Sequence, residues 1–369
     1  MIYVGMDDSK KSIEMAALSE EGEKLAETKI PNTISGLRKM VRQLERRFSG
    51  SEFRFGYEAG PGGFVLQRRL EKLGQECLVA AASMTPKRKG QRVKTNRRDA
   101  LELARLLRGG LLVEVEPPDE QAEADRELCR CRAKLRQDLT RSRLRLTHFL
   151  LRRGCVYPGS NWSQRHRRWL SQVELEEESD RRALQLYQWQ VEQLEQGLAL
   201  VEEQVRQLAQ SERHRKVVGA LRCFRGVDTV TALSFSCELY SFGRFRSARG
   251  LMNFLGLVPS EDSTGEATTR GGITKTGNRY VRRLLVEAAH HYRHRPAVGK
   301  ALRKRRQGQP AEAIAHADKA MLRLHRKFVR LTWRGKASNK ITVALARELS
   351  GFLWAVTNQV CDQQQESVA

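Results

Sequence analysis

Two short apolar runs near the start of the chain each end in an acidic residue. The run IYVGM leads into Asp7, and FRFGY leads into Glu58. A third acid, Asp99, stands at the head of the amphipathic segment LELARLLRGG. Acids at strand ends and on a facing helix can converge although they are far apart in sequence. Because converging carboxylates suit Mg²⁺, the pattern predicts an α/β domain with an acidic metal pocket.

The overall charge points to a nucleic-acid partner. The chain has 67 Lys+Arg against 43 Asp+Glu, a net charge of +24 over 369 residues. Such a charge attracts phosphate backbones, and the binding should weaken steeply as the salt concentration rises. A merely basic protein of the ribosomal type is the simpler alternative. The absence of an apolar run long enough to cross a membrane, of a leader pattern and of a CxxC pair predicts a cytoplasmic protein with reduced thiols.

Residues 1–115 have the pattern of an α/β domain. IYVGMD, SIEMAAL and EKLAETKI predict three strands that can form antiparallel hairpins, followed by a helix from the Asn32–Thr33 cap through Leu44. FRFGYE predicts a fourth strand, GFVLQRRLEKLG a helix and ECLVAA a fifth strand. This order is the layout of an RNase H-like fold, in which the ends of the first and fourth strands lie side by side.

Residues 116–215 predict two long helices. The first carries an apolar line formed by Leu128, Cys131, Leu135, Leu139, Leu146 and Phe149. On the second, apolar residues recur in alternating steps of three and four, at Leu184, Tyr187, Val191, Leu194, Leu198, Val201, Val205 and Leu208. This a/d seam predicts a coiled coil. Its partner is either the first helix or a second subunit, and the regular seam favours an intermolecular dimer.

Residues 216–353 form a third, mostly helical region, before a polar tail at 354–369. LRCFRGVDTVTALSFS resembles a helix-hairpin-helix segment, with Gly226 in the turn and Val227–Ala232 opening the next helix. Such a turn offers backbone N–H groups to phosphate, although an ordinary helical turn fits these residues equally well.

A segment rich in hydroxyls and cations follows, GLVPSEDSTGEATTRGGITKTGNRYVRRLLVEAA. Its hydroxyl nucleophile candidates are Ser260, Ser263 and Thr264. The cations that can offset charge on a phosphate are Lys275, Arg279, Arg282 and Arg283. A flexible phosphate-contacting loop is the simpler interpretation. A second basic cluster beside Asp99 predicts backbone contacts to DNA or RNA through Lys87, Arg88, Lys89, Arg92, Lys94, Arg97 and Arg98.

Five motifs in order resemble one family. GMDDSKK, YEAGPGG, KTNRRDALELARLLRGG, the central coiled coil and GLVP…STG…GGITKTGN…RRLLVEAA are similar in order and spacing to the DEDD-type insertion-sequence transposases. That family is related to the Piv DNA invertases and comprises bridge-RNA-guided recombinases. The resemblance implies a RuvC-like N-terminal catalytic domain, a central dimerisation region and a C-terminal transposase domain.

The resemblance also implies a metal site. Asp7, Glu58 and Asp99 match the first, second and last acids of the family's site, which holds Mg²⁺ or, as a substitute, Mn²⁺. Asn96 stands where many members have the third Asp; its carbonyl oxygen can reach a cation but brings no charge. Asn96 then either leaves one metal site weaker, or the role of metal ligand shifts to a neighbouring acid such as Asp8 or Glu102.

The implied reaction uses a serine. Ser263 is favoured as the nucleophile because a primary hydroxyl is less hindered, Thr264 is the alternative before Gly265, and Ser260 comes third. A phosphoserine–DNA intermediate is then resolved by a strand hydroxyl. The implied partners are DNA, a guide RNA and further copies of the chain, as a dimer or a dimer of dimers, on the bacterial nucleoid. Two alternatives remain: a RuvC-like nuclease or junction resolvase that uses metal-bound water, and a non-catalytic binding scaffold, suggested by Asn96.

Overall fold

A computed structural model describes residues 1–86, 95–264 and 267–366 of the chain. These residues form two compact units, one spanning residues 1–118 and one that begins at Asp119. In the described ranges, no helix combines the length and apolar character needed to cross a membrane.

The first unit is a five-stranded sheet with helices on both faces. Its elements are β1 (Ile2–Asp8), β2 (Ser12–Leu18), β3 (Lys24–Pro31), α1 (Ile34–Arg47), β4 (Phe53–Glu58), α2 (Val65–Glu71), β5 (Glu76–Ala80) and α3 (Asn96–Arg108). The strand order is β3-β2-β1-β4-β5. The pairs β1–β2 and β2–β3 are antiparallel, whereas β1–β4 and β4–β5 are parallel. This is the arrangement that the sequence predicts.

One face of the sheet forms the main core of this unit. There the apolar side chains of β1 and β4 pack against the apolar stripes of α1 and α2, in a cluster that includes Val4, Met6, Phe55, Tyr57, Leu37, Met40, Leu66 and Leu70. The helix α1 is capped at Thr33, whose hydroxyl accepts a hydrogen bond from Gly36 N at 3.1 Å. The cap predicted at Asn32–Thr33 is therefore confirmed at Thr33.

The opposite face carries α3, which lies close against β1. A side chain at Gly5 would collide with the carbonyl oxygen of Ala100 and the amide nitrogen of Ala104. On the neighbouring strand, a β-carbon at Gly56 would lie 3.0 Å from Leu107 Cδ2. Small residues on both sides thus allow the helix backbone to approach the sheet, which fixes where the start of α3 lies.

The second unit is mostly helical, as predicted. Its elements are α4 (Glu120–Leu151), α5 (Gln164–Leu170), α6 (Glu178–Leu208), α7 (Arg215–Leu221), α8 (Thr229–Leu239), α9 (Ala248–Phe254), β6 (Pro259–Thr264), β7 (Ala267–Ile273), α10 (Arg279–Ala289), a 3₁₀ turn (His290–Arg293), α11 (Lys300–Arg306), α12 (Ala311–Trp333) and α13 (Ser338–Glu366). The strands β6 and β7 form an antiparallel hairpin.

The seam on α6 packs against α4 of the same chain. Buried side chains from both helices form one cluster, which includes Leu139, Leu146, Phe149, Leu184, Val191, Leu198 and Val201. Beside the seam, Glu195 accepts hydrogen bonds from Arg143 and Arg167, at 2.5 and 2.7 Å. The regular spacing of the seam favours a second subunit as its partner. The structure shows instead that the seam packs against α4 of the same chain.

The C-terminal segment also differs from its prediction. The sequence predicts a polar tail from residue 354, but α13 continues to Glu366. Val356 and Thr357 are fully buried in this helix. The reason is spacing: Leu349, Leu353, Val356 and Val360 repeat at helical intervals, so they extend the buried face of α13 into the predicted tail.

Candidate active site and nucleic-acid contacts

Asp7 and Glu58 project from the face of the sheet that α3 covers. Side chains alternate between the two faces of a strand, so Asp7 shares the face of Gly5, and Glu58 shares that of Gly56. Both glycines face α3. The strands β1 and β4 are parallel neighbours with Met6 opposite Tyr57, so Asp7 and Glu58, the next residue on each strand, lie side by side.

Asp99 lies near the same end of this face. Thr95 caps α3, and Asp99 is in its first turn. At the other end of α3, Arg108 Nη1 donates to the carbonyl oxygen of Glu20, 2.9 Å away. Glu20 follows β2, whose last residues pair with the start of β1. The helix therefore runs opposite to β1, and Asp99 is at the end where Asp7 lies.

The donor chemistry of this face suits a hard cation, since carboxylate oxygens are ligands that Mg²⁺ accepts. In the described part of the chain, however, no three His, Cys, Asp or Glu side chains are arranged so that they could hold a metal ion. Asn96, the first residue of α3, is exposed. The backbone thus brings the predicted acids to one edge, while their side chains do not form a closed site.

Asp8 faces the opposite side of the sheet. Asn32 Nδ2 donates to Asp8 Oδ1 at 2.6 Å, and Arg69 in turn donates to Asn32 Oδ1 at 2.9 Å. Burial raises the pKa of Asp8 above its ordinary value, against the opposing effects of the Asn32 hydrogen bond and the Arg69 charge. Asp8 is therefore poorly placed to replace a ligand beside Asp7. Glu102, on α3, forms an ion pair with Arg105 at 3.4 Å.

Ser263 lies on β6, in a hairpin rather than a flexible loop. Its hydroxyl donates to Glu261 Oε1 at 3.3 Å, and Arg270 Nε lies 3.0 Å from Glu261 Oε2. The two strands place Glu261 opposite Arg270 and Ser263 opposite Thr268. The sequence pattern did not single out Glu261. Its signal was the two-residue spacing from Ser263, which puts both side chains on one face once the segment is a strand.

The other two hydroxyl candidates differ in their surroundings. Ser260 Oγ donates to the carbonyl oxygen of Gly272 at 3.2 Å, so its hydroxyl is used within the hairpin. Thr264 is the last residue of β6, opposite Ala267. Of the two candidates whose side chains are described, Ser260 contacts a backbone carbonyl and Ser263 a carboxylate.

The four predicted cations of this segment fall into two groups. Arg282 Nη1 donates to the carbonyl oxygens of Leu255 and Thr276, at 2.9 and 2.5 Å, and burial lowers its pKa, helped by the charge of Arg279. Arg283 lies over the Tyr280 ring and pairs with Glu287 at 3.6 Å. Lys275 and Arg279 are exposed and, unlike Arg283, form no ion pair with another described residue. These two are the better placed to meet a phosphate.

A buried carboxylate holds the start of α10 in place. Glu238 on α8 accepts two hydrogen bonds from Arg130 of α4, at 2.6 and 2.8 Å. It also accepts one from Asn278 Nδ2 at 2.7 Å, and Asn278 Oδ1 caps α10 by accepting from Tyr280 N. Since only 1% of the Glu238 side chain is exposed, this network fixes α10 against α4 and α8.

The turn at Gly226 packs against another helix end. Gly226 has a φ of +80°, and a side chain there would collide with the carbonyl oxygen of Ala288. Asp228 caps the following helix, α8, with its carboxylate accepting from Thr231 N at 2.8 Å. One N–H that a helix-hairpin-helix would offer to phosphate, that of Thr231, is therefore already bonded to a carboxylate.

The basic cluster before Asp99 is described in part. Lys87, Arg88, Lys89, Arg92 and Lys94 lie outside the described residues. Arg97 and Arg98 are in the first turn of α3, where both are exposed. Arg97 forms an ion pair with Glu27 of β3.

Two family models of transposases match parts of this chain. A family model of DEDD-type IS110 transposases, whose domain is RuvC-like, matches residues 4–153. A second model, described as a transposase of the IS116/IS110/IS902 family, matches residues 219–303. Together the two models cover the acidic face and the Ser263 hairpin.

Relatives that align along most of this chain are also named as transposases. A protein of Sinorhizobium fredii named as a transposase, y4qE, is 40% identical over 360 residues, covering 97% of this chain and 88% of its own length. The transposase for insertion sequence element IS1533 of Leptospira borgpetersenii is 35% identical over 332 residues, covering 89% of this chain and 95% of its own. The chain therefore belongs to the IS116/IS110/IS902 family of transposases, enzymes that transfer DNA strands.

Proposed function

We propose that this transposase cuts and rejoins DNA through a covalent intermediate on Ser263, and that a structured non-coding RNA selects the DNA. The main support is the contact between Ser263 Oγ and Glu261 Oε1 on an exposed strand. A hydroxyl beside a carboxylate can be activated for attack, since the carboxylate accepts its proton.

The metal belongs to the first unit in this proposal. Asp7, Glu58 and Asp99 would hold Mg²⁺, or Mn²⁺ in its place, with Asn96 supplying a neutral oxygen. Bound there, the ion would stabilise negative charge on the scissile phosphate and on the leaving oxygen. The support is the shared face and shared end of the three acids; their side chains must move to complete the site.

The strand-transfer step balances without any further reactant. Glu261 takes the proton of Ser263, whose oxygen bonds to phosphorus while the bond from phosphorus to the leaving strand oxygen breaks. Lys275 and Arg279 offset the charge on the phosphate. Glu261 passes that proton to the departing strand oxygen. A hydroxyl of the partner DNA strand then attacks phosphorus and gives its proton to Glu261, which transfers it to Ser263 Oγ as the bond from phosphorus to Ser263 breaks. The strands are rejoined without net hydrolysis.

Other parts of the proposal are supported by the family resemblance. These are guidance by an RNA, assembly as a dimer or a dimer of dimers, and action on the bacterial nucleoid. The net charge of +24 is consistent with two nucleic-acid partners at once.

The test is to express the chain with its native flanking DNA, denature it, trim the nucleic acid and map the peptides by mass spectrometry. We expect a nucleotide phosphate on Ser263, and none in the Ser263→Ala variant. An adduct on Thr264 would keep the mechanism and move the nucleophile. DNA cutting without any adduct would overturn the proposal in favour of a nuclease that uses metal-bound water.

A further inference from the structure

A cleft of about 960 Å³ opens beside the Ser263 hairpin, in the second unit. The hairpin forms one wall through residues 270–273, and α13 forms the facing wall through residues 340–348. The volume is at the upper end of the range of about 300–1,000 Å³ for small-ligand sites. The sequence did not predict the cleft, since its walls come from segments far apart in the chain.

The mouth of the cleft is strongly cationic. Arg249, Lys275, Lys340 and Arg347 line it, and none of the four forms an ion pair with another described residue. Among the described lining residues the one carboxylate is Glu348, which is already held by Lys327, at 2.7 Å. The unpaired positive charge favours an anionic occupant.

Four apolar residues, called the floor here, also line the cleft and are buried or half-buried. They are Met252, Leu257, Ile273 and Val343. A bare phosphate or a duplex backbone offers no apolar surface to pack on these residues. A nucleobase turned out of a helix does, because its flat faces pack on apolar side chains. Apolar and unpaired cationic side chains in one cleft therefore match a nucleotide, whose base can pack on the first and whose phosphate can meet the second.

We propose that this cleft takes one unpaired nucleotide of a DNA or RNA strand, with the base on the apolar floor and the phosphate near Lys340 and Arg347. The hairpin that forms one wall also carries Ser263. The site would therefore hold a strand in place next to the nucleophile. Only this consequence rests on the proposed function; the binding itself requires neither Ser263 nor a metal.

The test measures the affinity of the full chain, in EDTA, for two fluorescent oligonucleotides of equal length and charge. One is a short run of thymidines and the other is fully abasic. We expect the unaltered chain to bind the thymidine strand about tenfold more tightly, because each stacked base adds affinity. A uridine strand of the same length shows whether RNA is the better occupant.

Two variants test the position of the base and phosphate. Ala344→Phe fills the cleft from α13, and is expected to bring the ratio of the two affinities close to one. Lys340→Ala with Arg347→Ala is expected to weaken binding of the thymidine strand more than of the abasic strand. The matched control, Arg326→Ala with Arg330→Ala, removes the same charge from exposed positions on α12 and should weaken both strands equally.

The outcomes distinguish nucleotide binding in the cleft from the covalent step on Ser263. A thymidine preference that survives in both Ala344→Phe and the Lys340/Arg347 variant, with unchanged melting curves, would overturn the proposal. An equal affinity of the unaltered chain for both strands would overturn it as well. The thymidine preference is expected to persist in Ser263→Ala, so failure of the covalent step leaves it intact. The adduct on Ser263 is measured separately by mass spectrometry, so each proposal can fail without the other.

Discussion

At the scale of single residues, the most informative pair is Ser263 with Glu261. The pair arises from strand alternation: residues two apart share a face, and the opposite strand adds Arg270 to the same patch. All three side chains are exposed, so the arrangement does little for folding and is available for chemistry.

Changing Glu261 to Gln should slow the formation of the covalent adduct. The amide keeps the shape but cannot accept the proton of Ser263, and a positioned general base is worth about 10²–10⁴-fold in rate. Single-turnover cleavage of labelled DNA measures the effect. Loss of the exposed Arg270 pair costs only about 0–1 kcal/mol of stability, so folding should be unaffected. Asp262→Asn, the neighbouring acid, is the control, and equal rates for the two variants would remove Glu261 from the mechanism.

The adjacent acids Asp7 and Asp8 should respond differently to substitution. Asp7→Asn is expected to abolish Mg²⁺-dependent cleavage, because Asp7 shares the α3 face with Glu58. Asp8→Asn is expected to keep cleavage, because Asp8 faces Asn32 on the other side. The same cleavage assay decides between them, and loss of activity in both variants would contradict the assignment of faces.

Asp8→Asn should also change the dependence of stability on pH. Since burial raises the pKa of Asp8 in the folded chain above 3.8, its contribution to stability is present below that pH and is lost as the pH rises through the folded pKa. The Asp8→Asn variant has no carboxylate here and therefore does not lose stability in this way as the pH rises. Urea unfolding should therefore show Asp8→Asn to be more stable than the unaltered chain at neutral pH, with a smaller difference in acid. A difference in the free energy of unfolding that grows in acid would contradict this prediction.

At the scale of helices and strands, the sequence was sufficient where the pattern is local. The apolar runs of β1 and β4 end in acids, and their order along the chain predicted the sheet correctly. Two features needed the structure. The seam of α6 has the same spacing whether its partner is α4 or a second copy, and the hairpin β6–β7 carries too few apolar residues to show as strands.

The close packing of α3 on β1 should make Gly5 intolerant of a side chain. Gly5→Ala is expected to lower the free energy of unfolding by about 1–3 kcal/mol, because the new methyl group collides with backbone atoms of α3. Gly197→Ala is the matched control: Gly197 lies in α6 with open space around it, so alanine should stabilise that helix by about 0.5–1 kcal/mol. Urea denaturation measures both. Equal effects would mean that the contact between α3 and β1 can relax.

At the scale of the whole molecule, each unit has its own core. The first unit buries the cluster around Val4 and Phe55, and the second buries separate clusters around Leu146 and Phe235. The candidate metal ligands Asp7, Glu58 and Asp99 belong to the first unit, whereas the candidate nucleophile Ser263 and the cleft belong to the second. The proposed chemistry therefore needs both units, although each has a core of its own.

Separating the units at residue 118 should give two folded fragments that are both inactive. We expect residues 1–118 and 119–369 each to show cooperative melting by circular dichroism, because each buries its own core. Neither fragment should cut labelled DNA in Mg²⁺, since one lacks Ser263 and the other lacks the three acids. The full chain, assayed with the same DNA and RNA, is the control. If residues 1–118 cut DNA alone, the nucleophile must be water rather than Ser263, and the chain would work as a metal-dependent nuclease.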